Sequence, residues 1–363
     1  MSDALPIYPL YALLFLRHGL SADQVSLLFA LWSLAGLASG VPTGVLADRF
    51  SRRGCLVAAG PVKAAGFLAW LVFPDFAGFA AGFALWGVSG SLVSGALEAL
   101  VYDGLTSYGA AASYPKLLGR VNAAELLGQI TAAGLAALLF PYGGYAGVIT
   151  VSAALSCWSA VLAARIPEPA RPGRSPESCG PGLRTALGVV RRDVRLRCLL
   201  VALALLTGID TLEEYFPLLA QSWGVPTRWN PLATVVIPVA GAGGAIAAGW
   251  WGRLGSRSIG GVLFGAGLLL AGAGLLRQPV GLLLVAGFYG LYRMVLVLAG
   301  SLLQQRIPTS SRATVSSVAA AGEELCVYLM YGLWVLGGVV LSALLVVAVA
   351  ALLGRLLAAD DDR

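Results

Sequence analysis

Residues 44–53 read Gly44-Val45-Leu46-Ala47-Asp48-Arg49-Phe50-Ser51-Arg52-Arg53, a charged knot between two apolar runs at about 25–47 and 55–73. A knot of this kind ends one helix and opens the next, because its charges have no place in an apolar interior. Asp48 closes the first run, and Arg52, four residues on, can fold back towards it. The flanking runs are members of a longer series, at about 4–16, 25–47, 55–73, 79–101, 117–140, 145–165, 198–220, 230–252, 258–276, 279–302, 313–333 and 335–357. A helix needs about 20 apolar residues to cross a bilayer. All of these segments but the first reach about that length, and none alternates as a barrel strand would.

Composition points the same way. Hydrophobic residues make up 58% of the 363 and charged residues 12%, with a mean hydropathy of +0.83. A soluble domain carries roughly 25% charged residues, so this chain lacks the polar surface to face water. The expected fold class is an all-α membrane protein with twelve transmembrane helices and a short first one. Ala4 to Leu16 would make a helix of about 20 Å against a hydrocarbon core of about 30 Å, and it contains Pro6 and Pro9. Either the start lies upstream or this helix is trimmed on its inner side. The beginning of the chain lacks the basic region and small-residue cleavage site of a removable signal.

The net charge of +6 invites an anionic partner, but its distribution argues topology instead. With the N-terminus inside, the arginines around 49–53, 165–197, 253–257 and 306–312 all fall inside. Only Arg17, Arg228 and Arg277 fall outside, and Lys63 and Arg293 lie within helices. This bias sets both termini in the cytoplasm, without any need for nucleic acid. The five cysteines form no CxxC pair, so no metal site, cofactor or disulfide framework is expected. No phosphate-binding GxxxxGK[ST] motif and no catalytic cluster occurs, so neither an ATP-driven pump nor an enzyme is expected.

Residues 166–197, rich in Pro, Gly, Ser and Arg, form the longest connection in the chain. They divide it into an N-terminal six-helix bundle (1–165), a cytoplasmic linker (166–197) and a C-terminal six-helix bundle (198–363). A faint echo of residues 44–53 at Gly249 to Arg257 suggests duplication. The 47 glycines, often four apart as at Gly78/Gly82 and Gly261/Gly265, suit close helix packing in lipid.

The stretch at 44–53 resembles the signature loop of the major facilitator superfamily, Gly-x-Leu-Ala-Asp-Arg-x-Gly-Arg-Arg. It matches at every defined position but one, where Ser51 replaces glycine. The resemblance implies two pseudo-symmetric bundles and a secondary transporter moving a small molecule by alternating access, here expected to be proton-coupled. It also implies a conformational latch made of Asp48, Arg49, Arg52 and Asp103, the last at the end of the fourth segment. The fifth segment has Gly128 and Gly134 but no proline before Pro141, a departure from the glycine–proline motif of drug–proton antiporters. The alternative is a sensor or scaffold that keeps a transporter fold without transporting.

Charges inside the segments need a reason, since each costs roughly 2.5–3.5 kcal/mol at the bilayer centre. The seventh segment carries Asp210, Glu213 and Glu214, three and four residues apart and so expected on one helical face. Acids this close cannot all ionise cheaply, and one is expected to hold a proton. Glu214 is the expected carrier, with Asp210 paired to Arg293 of the tenth segment, between Tyr289 and Tyr292. By the resemblance the cavity set is Glu98, Asp210, Glu213, Glu214, Arg293 and Glu324, with at most one of Glu323 and Glu324 facing inward. Glu125 is expected to pair locally with Arg120, and His18 to cap a helix end. Trp223, Trp229 and Tyr145 are expected to anchor at the interface. Lys63 has no partner that the sequence names. The protein is expected to work as a monomer in a bacterial inner membrane, with only lipid, substrate and protons as partners.

Overall fold

The computed structural model describes residues 5–107, 109–110, 114–168, 194–250, 256–306 and 312–361. Most of the expected linker, and residues 251–255 of the expected echo, lie outside that set. Among the described residues every regular element is helical. The order is α1 (Tyr11–Arg17), α2 (Ala22–Arg49), α3 (Arg52–Val72), α4 (Phe76–Ser107) and α5 (Tyr114–Ala164), then α6 (Val194–Asp210) and a 3-10 segment (Thr211–Tyr215). It continues with α7 (Phe216–Ser222), α8 (Asn230–Thr234), α9 (Val236–Trp250), α10 (Ser256–Leu276), α11 (Gly281–Arg306) and α12 (Arg312–Asp361). Among the described residues, eight helical runs are long and apolar enough to cross a membrane.

Local chemistry sets the boundaries. Ser21 and Gln24 form a reciprocal cap at the start of α2, with Gln24 N–H donating to Ser21 Oγ at 3.2 Å and Ser21 N–H to Gln24 Oε1 at 2.9 Å. Asp75 accepts from Gly78 N–H at 2.8 Å where α4 opens. Two runs are too long for one crossing: α5 has 51 residues and α12 has 50. Each turns at a glycine in a region closed to other residues, Gly144 (φ 54°, ψ −152°) and Gly338 (φ 55°, ψ −138°).

Contacts divide the chain into two units, Met1–Gly173 with Pro226–Val235, and Arg174–Val225 with Val236–Arg363. In the first, α2 and α3 pack on α4, and α3 packs on α5. The second shows the same pattern, with α9 and α10 on α11, and α10 on α12. In that unit α6 also packs along α12.

A helix of seven residues has little stability of its own, and α1 is held by what surrounds it. Tyr11 and Phe15 sit in a cluster of rings from three other helices: Phe29 of α2, Trp70 of α3, and Phe79, Phe83 and Trp86 of α4. Most of these pairs meet edge to face, the favoured geometry for aromatic quadrupoles. Ahead of α1, Ile7 N–H donates to Ser152 Oγ at 3.0 Å. The cluster also receives Lys63, which is buried with its ammonium 5.5 Å from the Trp86 ring centroid. A cation over an aromatic face is one favourable setting for a lysine in an apolar pack. Outward faces are the reverse of a soluble protein's: Leu336 and Leu275 are 79% and 81% exposed.

Candidate functional site

The seventh segment is not one regular helix. It runs as α6 to Asp210, tightens through Thr211–Tyr215, and resumes as α7. Pro217 is the cause, since it has no N–H to donate to the carbonyl four residues back at Glu213. That carbonyl accepts from Phe216 N–H instead, a three-residue closure. A 3-10 turn brings residues three apart into line and sends the fourth about 120° away. Glu213 therefore falls beside Asp210, and Glu214 turns to another side. The sequence expectation that both share the face of Asp210 rested on α-helical spacing, and the break changes it.

Facing Asp210 and Glu213 is α11, which presents Tyr289, Tyr292 and Arg293 at helical spacing. Arg293 Nη1 donates to Asp210 Oδ2 at 3.0 Å and to Oδ1 at 3.3 Å. Tyr289 Oη lies 3.0 Å from Asp210 Oδ1 and 2.6 Å from Glu213 Oε2. Tyr292 O–H donates to the Leu206 carbonyl at 2.7 Å, fastening α11 to α6. Room for the Tyr289 ring comes from Gly241 of α9, where a Cβ would stand 2.7 Å from the ring. Phe216 packs edge-on against the same ring at 5.5 Å. Both tyrosines are buried, while Asp210 and Arg293 are about one third and one quarter exposed, so the ion pair reaches towards water.

Glu214 is buried too, but in different company. Together with Glu324 it lies within electrostatic reach of Tyr331 on α12. Its neighbour Tyr215 stacks on Trp334 at 4.0 Å. The structure thus brings Asp210, Glu213 and Arg293 together through Tyr289 and puts Glu214 and Glu324 in a separate neighbourhood. The side chains of Asp48, Glu98 and Glu125 lie outside the described residues. Among the described residues no group of three or more His, Cys, Asp or Glu could hold a metal ion.

In the first unit, the guanidinium of Arg52 pairs with the Asp103 carboxylate, joining the start of α3 to α4. Arg49, at the end of α2, is exposed. Sequence reasoning missed Glu168, just past α5. Its Oε2 accepts from Ser51 Oγ at 2.6 Å and its Oε1 from Arg52 N–H at 2.9 Å. Ser51 in turn caps α3 by accepting from Gly54 N–H at 2.8 Å. The one departure from the signature loop is thus a helix cap that also binds a carboxylate. A serine directly ahead of a helix was a legible cap signal, but nothing in the sequence pointed it at Glu168.

The family model of the Major Facilitator Superfamily matches residues 3–326 of the chain. The chain belongs to the major facilitator superfamily. As a member of that superfamily it is a membrane-embedded secondary transporter and not an enzyme. No curated protein matches it in sequence. Solved structures share the superfamily fold along its whole length. A point mutant of the nucleoside transporter NupG is similar with a TM-score of 0.78 and 12% identity, over 99% of this chain and 96% of that one. The nucleoside transporter NupG itself gives 0.69 and 13%, over 98% and 94%. A D-xylose-proton symporter gives 0.71 and 16%, over 97% and 93%.

Proposed function

We propose that this superfamily member couples the movement of a small polar molecule to protons, with the coupling chemistry in the second unit. The observation that carries the reading is the set Asp210, Glu213, Tyr289 and Arg293 inside an otherwise apolar helix pack. Ionisable groups are expensive in a membrane, and a cluster on broken helix geometry is what proton and substrate pathways use. Counting each glycine-kinked run as two crossings, and α1 and the α6–α7 pair as one each, the chain crosses twelve times. The linker and both termini then lie in the cytoplasm of a bacterial cell, and a monomer suffices. On this reading Asp48, Arg49, Arg52 and Asp103 form the latch that biases the open–closed equilibrium of the transporter. Within the second unit, Glu214 and Glu324 are further candidates for the cavity.

The test begins with purified protein and a thermal-shift screen, since a ligand specific for the folded state raises its melting temperature. Nucleosides and pentoses come first, because the similar solved structures carry such ligands in their names. Any ligand that stabilises is then offered to proteoliposomes under an imposed pH gradient. Accumulation that follows the gradient supports the reading. Uptake indifferent to the gradient removes proton coupling, and binding with no uptake favours the sensor or scaffold alternative.

A further inference from the structure

We propose that the crevice between α9 and α10, floored by α11, is a binding site for one acyl chain of a membrane phospholipid. The inference rests on the membrane-embedded fold and not on the proton-coupled reading. Among the described residues α9 and α10 each pack along α11 and scarcely touch one another. Between them lies a cavity of about 480 Å³. Its walls include Ala240, Gly243 and Ala247 of α9, Leu269 of α10, and Gly287 and Leu291 of α11. Every lining residue is glycine, alanine, leucine or methionine. The volume falls among those of small-ligand sites, about 300–1,000 Å³.

Two adjacent glycines of α9 do different things. A Cβ on Gly244 would stand 1.8 Å from the Gly290 carbonyl oxygen, so Gly244 lets α9 and α11 touch. Gly243 closes no such contact: it is exposed, and a Cβ there would meet nothing within 4 Å. It opens the crevice instead.

Depth and surroundings name the occupant. The three helices lie in apolar spans at 230–250, 258–276 and 281–300, and the lining residues fall near the middle of each. At 1.5 Å per residue the walls run about 10 Å along α9 and about 12 Å along α11. The middle of a bilayer core lies about 15 Å from either edge, a depth that acyl chains reach and headgroups do not. The mouth is continuous with the surface that meets lipid, since Val239 and Ile246 of α9 and Leu268 of α10 are all exposed. Apolar walls offer water no hydrogen bond and offer hydrocarbon dispersion contacts along their whole length. The polar cluster is on another side of α11. Gly287 and Leu291 stand two residues before and after Tyr289, and so about 160° round the helix from it. A chain in the crevice therefore backs onto the helix that carries Tyr289 and Arg293 without entering their site.

Photolabelling of the purified full-length protein in phosphatidylcholine nanodiscs tests this. The nanodiscs carry a phosphatidylcholine with a diazirine near the end of one acyl chain, and adducts are mapped by mass spectrometry after irradiation. Residues 240–247 and 286–294 should be labelled several-fold more heavily than the outward face of α12 at Leu336 and Leu344, which are 79% and 60% exposed. A diazirine beside the headgroup should give no such excess. Gly243→Leu places a side chain in the crevice and should bring its labelling down to the level of α12. Should that variant fail to fold, Ala247→Leu fills the same space from one turn further on. Equal labelling of crevice and α12 in the wild type overturns the proposal, as does an excess that survives a filling variant. Adducts lost in favour of contacts between two copies of the chain overturn it too, and give the crevice to a dimer. Because the readout needs neither substrate nor gradient, failure of the transport reading leaves this result standing.

Discussion

Arg293 meets Asp210 through one nitrogen at 3.0 and 3.3 Å, with both side chains only partly shielded from water. Losing one partner strands the other's charge, and losing both removes the problem together with the bond. Arg293→Gln and Asp210→Asn should therefore each lower the melting temperature, and the double variant should lower it by less than the sum of the two. The coupling energy should be about 1–2 kcal/mol, read from thermal unfolding of the four proteins. The Arg52–Asp103 pair is about as exposed as the first but joins two helices near their ends, where a charge can turn to water. Such pairs contribute about 0–1 kcal/mol to stability. Asp103→Asn should leave the melting temperature nearly unchanged and still slow transport several-fold, since the pair would bias a conformational equilibrium and not the fold. Unaltered uptake at normal expression would remove Asp103 from the latch. At this scale the sequence disclosed that Arg293 needs a carboxylate and that the seventh segment has three. It could not say which two meet a tyrosine, because that depends on the rotation of one helix against another.

Among the elements, the seventh helix depends on Pro217. Replacing it as Pro217→Ala restores the missing N–H and allows the 3-10 turn to relax towards α geometry. Glu213 should then rotate away from Tyr289, so gradient-driven uptake should fall by about tenfold or more with every polar group intact, an effect near 1.4 kcal/mol. A variant that couples normally would show that the break is incidental. Helix packing in the second unit offers a sharper contrast. A Cβ on Gly244 would stand 1.8 Å from the Gly290 carbonyl oxygen, whereas one on Gly243 would meet nothing within 4 Å. Gly244→Ala should destabilise the α9–α11 contact by about 1–3 kcal/mol or prevent assembly. Gly243→Ala should be neutral, with detergent-stable yield and melting temperature as the measurements.

Across the whole molecule, the two units repeat one packing scheme, down to a left-handed glycine at Gly144 and Gly338. The proposed topology puts the Pro- and Arg-rich linker inside. On a cysteine-free background, single cysteines in that linker should resist an impermeant thiol reagent added to intact cells and react after lysis. Cysteines at 226–228 should react from outside. Labelling of the linker in intact cells would invert the proposed orientation.

The membrane, the helices and the superfamily were determined by the sequence alone. Each follows from chemistry within one segment: a backbone that must satisfy its own hydrogen bonds in lipid, about 20 apolar residues per crossing, and ten residues of signature loop. Even the broken seventh helix had its cause in view, in a proline four residues past Glu213. Tertiary structure alone decided which polar groups share a hydrogen bond. Lys63 came to lie over Trp86, Ser51 and Arg52 on Glu168, and Tyr289 between Asp210 and Glu213. These partners are tens of residues apart or more, and hydrogen bonds fade within fractions of an ångström. Only the register between packed helices sets distances that fine, and hydropathy carries no information about it.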